Sequence, residues 1–374
     1  MKPQYSQSLL FSLLCMMLFS GCDSYNPFQQ YQEEHRPQYH FTTPTGWLGV
    51  PAGMVYFKGR YHIFYQQNGS EEKPGKMNWG HATSKDLVYW EHFSAALHDE
   101  EKSLLPGSVV VDWDNSSGFG SGTDPVMVAI YTASQNENQE LHLAFSDDEG
   151  RSWERFEGNP VLDNNIHQLT DPNVFWHHES GKWVMVAATE REQKIQIYTS
   201  ENLKEWERMD EYESGSELNG NWQNPGMFQL PVDGNSSNVK WVLHMSTGNG
   251  TSSGRAGTQY VIGDFNGERF NVDSEFKDEV RWMDSGPDFF APKTFTNIPG
   301  SDNRRILMAW MNNGDYAEDI STKPWRNSLT LPREMMLKTI DEEVKLVQLP
   351  VVELRTLRTN RLIFRNRTIN EERN

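Results

Sequence analysis

One unit, repeated five times, constrains this chain more than any other feature. Each copy opens on a Gly or Pro turn and enters a short apolar, β-branched and aromatic run. The five first runs are Gly53 to Phe57, Gly107 to Val111, Pro172 to Trp176, Pro225 to Phe228 and Pro292 to Phe295. A second run follows each: Tyr61 to Tyr65, Val126 to Tyr131, Trp183 to Val186, Trp241 to Met245 and Ile306 to Trp310. Residues of this kind between turn formers read as strands. Three copies carry a third signature. Thr83-Ser84-Lys85-Asp86-Leu87 precedes Trp90-Glu91, Thr199-Ser200-Glu201-Asn202-Leu203 precedes Trp206-Glu207, and a looser Phe145 to Gly150 precedes Trp153-Glu154. Trp90, Trp153 and Trp206 read as core residues of the repeat.

The copies recur about every 60 residues, which leaves room for the four strands of a propeller blade. No helical periodicity competes over the same stretch. The expected fold is all-β, a five-bladed β-propeller over residues 41–350. In a propeller the first strand of every blade lines one axis. Gly49 to Ala52, Ser108, Thr170 to Asn173, Gln223 to Pro225 and Ala291 to Lys293 should therefore meet in one funnel.

The flanks read differently. Lys2 is the one charge before an apolar run from Leu9 to Phe19, too short to span a bilayer and suited to an export signal. Ser20-Gly21 before Cys22 has the form of a lipoprotein cleavage site. The expectation is a signal peptide at 1–21, lipidation at Cys22 and a polar tether over 22–40. Export would then place the protein outside the cytoplasm, held to a membrane. Cys15 leaves with the signal, so no internal disulfide can form. Residues 351–374, with six Arg, read as a short tail or a closing strand. A net charge of −18 excludes the basic footprint that nucleic acid requires. His62 and His81 lack metal-ligand spacing and read as structural histidines, so no metal or other cofactor is expected.

The motif set resembles glycoside hydrolase family 32, the levanase, inulinase and invertase group. The resemblance runs from about Phe41 to Leu357. It rests on Gly59-x-Tyr61-His62-x-Phe64-Tyr65-Gln66, Trp79-Gly80-His81-Ala82, Gly107-Ser108-Val109-Val110-Val111-Asp112-Trp113, Asp171-Pro172, Asp288-Phe289-Phe290-Ala291-Pro292, Trp310-Met311-Asn312-Asn313 and Pro324-Trp325-Arg326. It implies a five-bladed propeller, independently of the repeat count, and usually a C-terminal β-sandwich, which would begin where this chain ends.

It also implies retaining cleavage of fructosides, which needs two carboxyl groups about 5 Å apart, one a nucleophile and one an acid/base. Here the implied positions differ. The nucleophilic Asp of the family's Trp-Met-Asn-Asp-Pro-Asn-Gly stretch is Val50, and its flanking Asn residues are Gly49 and Ala52. The acid/base Glu of Glu-Cys-Pro is Gln223, whose amide can hydrogen-bond but cannot deliver a proton. The third acid, a transition-state stabiliser, survives as Asp171, but its Arg neighbour is Thr170. Pro106, Lys293 and Gly314 are further departures. Asp124, Asp284 and Asp288 are the nearby acids that could substitute. The implied sugar contacts are Trp47, Gln66, Trp79, Ser108, Thr170 and Asp171, with Trp47 and Trp79 open to the alternative of packing within a blade.

Three functions follow as expectations. The first is a lipid-anchored relative that binds β-fructan or a related glycan without cleaving it. The second is a β-fructosidase with displaced catalytic residues. The third is a remnant with no ligand.

Overall fold

A computed structural model describes residues 31–69, 71–136, 138–162, 169–189, 192–213, 221–248, 256–276 and 280–359. The signal segment and Cys22 lie outside these. Backbone contacts divide the chain into two units, Met1–Gln38 and Tyr39–Asn374. In the described part of the first, Arg36 pairs with Glu33 at 2.6 Å and lies over the Tyr31 ring.

The second unit is built from antiparallel strands. The first run of copy one becomes β1 (Gly46–Phe57), followed by β2 (Arg60–Asn68), β3 (Asn78–Ser84) and β4 (Trp90–His92). Copy two gives β5 (Ser103–Asp112), β6 (Val126–Gln135), β7 (Asn138–Ser146) and β8 (Glu154–Arg155). Copy three gives β9 (Leu169–His177), β10 (Lys182–Thr189), β11 (Lys194–Ser200) and β12 (Glu207–Glu213). Copy four gives β13 (Trp222–Val232), β14 (Asn235–Thr247), β15 (Gly257–Phe265), β16 (Phe270–Val272) and β17 (Arg281–Trp282). Copy five gives β18 (Phe290–Thr294), β19 (Arg305–Trp310), β20 (Trp325–Arg326), β21 (Arg333–Ile340) and β22 (Glu343–Pro350).

Hydrogen bonding groups these strands into four sheets rather than five, because the last two copies are joined by a single parallel pair, Val232 with Leu337. The first strands pack in a closed sequence: β1 on β5, β5 on β9, β9 on β13, β13 on β18 and β18 on β1. Gly53 explains one of these approaches, since a Cβ there would sit 2.7 Å from Val109 on β5. Chain ends are closed by a feature the repeat does not signal. The two-residue β20 pairs in parallel with β1, Gly46 with Trp325 and Trp47 with Arg326. Residues 352–357 form a 3-10 helix, held where Glu353 meets Arg304 at 2.6 Å.

The third signature is a turn device. Asp86 Oδ1 accepts the N–H groups of Val88 and Tyr89, Asp148 Oδ1 those of Arg151 and Ser152, and Asn202 Oδ1 those of Lys204 and Glu205. Each acceptor also takes the hydroxyl of Ser84, Ser146 or Ser200. The side chain supplies the acceptor that the reversing backbone lacks, which is why Asp or Asn recurs there. Trp90, Trp153 and Trp206 pack, half-buried, against the clusters between sheets.

His62 and His81 form a buried pair, Nδ1 to Nε2 at 3.1 Å, with His81 stacked on Phe64. Burial holds His62 down to about 4 and His81 to about 3. His244 is also held by burial at about 3. The unfolded chain binds these protons near pH 6.5, so between there and about 4 it holds more protons than the fold does. Stability should therefore fall steadily as pH drops from 6.5 to 4. Thermal unfolding across that range checks it, and a flat profile would contradict neutral burial of the three imidazoles.

Candidate functional site

All five first strands break register at a proline. In β1 the shifts flank Pro51, and in β5 the break lies between Leu104 and Gly107, around Pro106. In β9 it encloses Asp171 and Pro172, in β13 Asn224 and Pro225, and in β18 Ala291 and Pro292. Proline cannot donate to a ladder, so it is tolerated where pairing is interrupted, and a bulge re-aims the side chains around it. Three residues preceding these prolines have positive φ: Asp171 at 54°, Asn224 at 47° and Ala291 at 51°. Non-glycine residues in that region carry strain, which concentrates at functional sites.

The bulges are tied to one another. Ser108 Oγ donates to Pro172 O at 3.1 Å and accepts Val174 N–H at 2.9 Å, stapling β5 to β9. Asp171 Oδ2 accepts Asn224 N–H at 2.9 Å, and Asn173 Oδ1 accepts Met227 N–H at 3.1 Å, joining β9 to β13. Asp171 Oδ1 accepts the Thr170 hydroxyl, and Asp171 N–H donates to Thr132 Oγ1. Ala291 N–H donates to Ser246 Oγ at 2.9 Å. Trp310 and Asn327 both donate to Leu48 O, at 3.1 and 2.8 Å.

Within the five bulges Asp171 is the single acid, and Lys293 is the cation directly after the β18 bulge. Lys293 is buried, and its ammonium has no hydrogen-bond partner among the described residues. Burial lowers its pKa to about 8, and the nearby Asp171 carboxylate opposes that fall. The same ammonium adds to the burial that keeps His244 neutral. The sequence pointed to Lys293 only as a departure from a family pattern. A lysine inside an otherwise apolar strand was the available signal.

The expected site residues separate into two groups. Val50, Thr170, Asp171 and Gln223 lie in or beside the bulges. Val50 is buried in an apolar cluster, and Gln223 is half-buried. Gln66 is buried, and its amide donates to Leu104 O at 3.1 Å. It occupies space that Gly49 leaves open, since a Cβ at 49 would lie 2.9 Å from Gln66 Cβ. The second group has its polar atoms or ring faces engaged within the protein. Trp79 has no exposed surface, and its indole N–H donates to Leu105 O at 3.1 Å, tying β3 to β5. The Ser108 hydroxyl is spent on the β5–β9 staple. Trp47 is buried against Trp310, at a ring separation of 6.3 Å.

The substitute acids are placed as follows. Asp124 faces Lys58 at the turn after β1, the end of that strand remote from Val50. Asp284 is paired with Arg333 at 2.6 Å. Asp288, just before β18, accepts the Tyr316 hydroxyl. Among the described residues no group of three His, Cys, Asp or Glu side chains converges as a metal site.

Comparison with known proteins gives this arrangement its context. The Glycosyl hydrolases family 32 N-terminal domain matches residues 40–350. The levanase of Bacillus subtilis (strain 168) is 44% identical over 365 residues, covering 96% of this chain and 53% of the levanase. A solved fructofuranosidase from Schwanniomyces occidentalis, complexed with fructose, superposes with a TM-score of 0.81 at 37% identity, covering 86% of this chain and 64% of that one. The exo-inulinase from Aspergillus awamori superposes with a TM-score of 0.78 at 35% identity, covering 86% of this chain and 68% of that one. The chain thus spans between about half and two-thirds of these relatives. A domain match over most of the chain, levanase-like sequence and a shared fold agree: the chain belongs to glycosyl hydrolase family 32.

Proposed function

We propose that this protein binds β-fructan or a related glycan in the funnel where the five bulges meet, and does not cleave it. The scaffold is read as a five-bladed propeller, supported by the closed packing of the five first strands and the proline bulge common to all. The observation that carries the reading is the acid count. Retaining cleavage needs two carboxyl groups about 5 Å apart, and the bulges supply only Asp171. Val50 stands at the nucleophile position and Gln223 at the acid/base position. Neither can ionise.

What remains suits binding. Asp171 is a fixed acceptor anion held by the Asn224 N–H and Thr170 hydroxyl bonds. Gln223 keeps an amide of carboxylate-like shape. The relatives are named for action on levan, inulin and sucrose-type fructosides, and one was solved with fructose. Export with lipid attachment at Cys22 would put the funnel outside the membrane, where polymeric glycans are met.

A second reading has one observation behind it. Lys293, with a pKa near 8, is a floor group that exchanges a proton near neutral pH beside Asp171. That pair would be the seat of any displaced hydrolysis.

Calorimetric titration with levan and inulin oligosaccharides tests the binding. Saturable heat with at least one β-fructan is expected. Absence of heat with either would favour a remnant without ligand.

A further inference from the structure

The same inner strands line a cavity toward their other ends. Its volume is about 730 Å³, and its walls include the C-terminal halves of β5, β9 and β13 and the segment after β18. Phe175 in its wall lies four residues beyond Asp171 on β9, about 13 Å along an extended strand. No bulge residue itself lines the cavity, although Asn173, next to Pro172, does.

Two wall residues are unusual. Trp113 is 59% exposed, a large apolar surface left in water. It is nevertheless fixed: its indole N–H donates to Asn297 Oδ1 at 2.9 Å, and its ring meets Phe57 edge-on. Asn297 is itself anchored to Tyr56 O. Arg305 is the second. Its neighbour Arg304 is clamped by Asp302 and Glu353. Arg305 has no carboxylate partner among the described residues. It makes one long hydrogen bond to Phe295 O at 3.4 Å and lies over the Phe228 ring. Burial alone lowers its pKa, to about 10. Asp112 also lines the cavity, but both its oxygens are taken by Ser116 and Ser117.

A half-buried guanidinium without a counter-ion is costly, and its planar fork matches a carboxylate. A rigid exposed indole in the same lining offers a flat apolar platform, and the Gln229 and Asn303 side-chain amides there offer hydrogen bonds to hydroxyls. Such a mixture of aromatic walls and few polar groups marks a small-molecule site. We propose that this cavity binds an acidic sugar of the uronic-acid class, with Arg305 meeting the carboxylate and Trp113 stacking on the ring. The site is independent of the funnel and of what the funnel holds.

The test titrates the purified protein with tetragalacturonate, using neutral galactotetraose as control. Binding of the acidic oligomer is expected, weakened at least about tenfold by Arg305→Met and by Trp113→Ala. Trp113 is exposed, so that variant should fold, and Gln223→Ala in the funnel should leave the affinity unchanged. The proposal is overturned by absence of binding, by equal affinity for the neutral oligomer, by indifference to both rear substitutions, or by loss with Gln223→Ala. None of these outcomes bears on fructan binding, which is measured separately.

Discussion

Installing Asp at position 50 and Glu at position 223 together should raise fructose release from levan at least about 10³-fold over the unmodified chain. Each substitution alone should gain little. The two groups act as one unit: without the nucleophile the acid has no intermediate to lead to, and without the acid the leaving oxygen departs as an alkoxide. Losses and gains within such a unit are strongly non-additive. Both positions sit at or beside bulges of first strands, position 50 on β1 and 223 on β13, and these strands belong to one closed packing sequence. Thr170 is left in place because its hydroxyl supports Asp171. Reducing-sugar release with levan, inulin and sucrose measures the effect. An unchanged rate in the double variant, with fold intact, would show that the funnel has lost the carboxylate spacing as well as the carboxylates.

Asp171→Ala should lower the unfolding free energy by about 2–4 kcal/mol at pH 7, of which at most about 1.4 is electrostatic, because Lys293, losing its opposite charge, sheds a proton it holds with a pKa of about 8. It also removes the acceptor for Asn224 N–H, so a donor at a strained, buried bulge is left unpaired. The pH dependence separates these terms. In the fold Lys293 titrates near 8, whereas an unfolded lysine titrates near 10.5. Raising the pH from 8 toward 10.5 therefore favours the fold, since only the unfolded chain still holds the proton. The cost of Asp171→Ala should shrink by pH 9, where Lys293 is already largely neutral. Lys293→Met in the Asp171→Ala background should recover the electrostatic part of the loss at pH 7, about 1 kcal/mol, and leave the part owed to Asn224 N–H. Denaturant unfolding at the two pH values checks this. A pH-independent cost, with no recovery from Lys293→Met, would show that Asp171 acts only as a hydrogen-bond acceptor.

Much of the fold was legible because its repeated element is chemically loud. Prolines at 51, 106, 172, 225 and 292 interrupt otherwise apolar strands, and each marks a bulge. The Asp86, Asp148 and Asn202 turns were visible as a spaced signature before their hydrogen bonds were known. The parallel β20–β1 closure was not, since two residues carry no periodicity. The sequence left Trp79 open between blade packing and a sugar contact, because strand periodicity shows that a residue is inward-facing but not which neighbour its indole N–H finds; the structure gives it Leu105 O. The rear cavity was invisible to sequence reasoning because Trp113, Phe228 and Arg305 belong to three different repeats and meet only in space.

The central claim is that this family 32 scaffold holds a fructan without turning it over. Equilibrium binding of an end-labelled levan oligosaccharide, followed by chromatography of the recovered ligand, tests it most directly. The expected result is saturable binding with the oligosaccharide recovered intact. Labelled ligand shortened to free fructose at ordinary enzymatic turnover, about 1–10³ per second, would contradict the account.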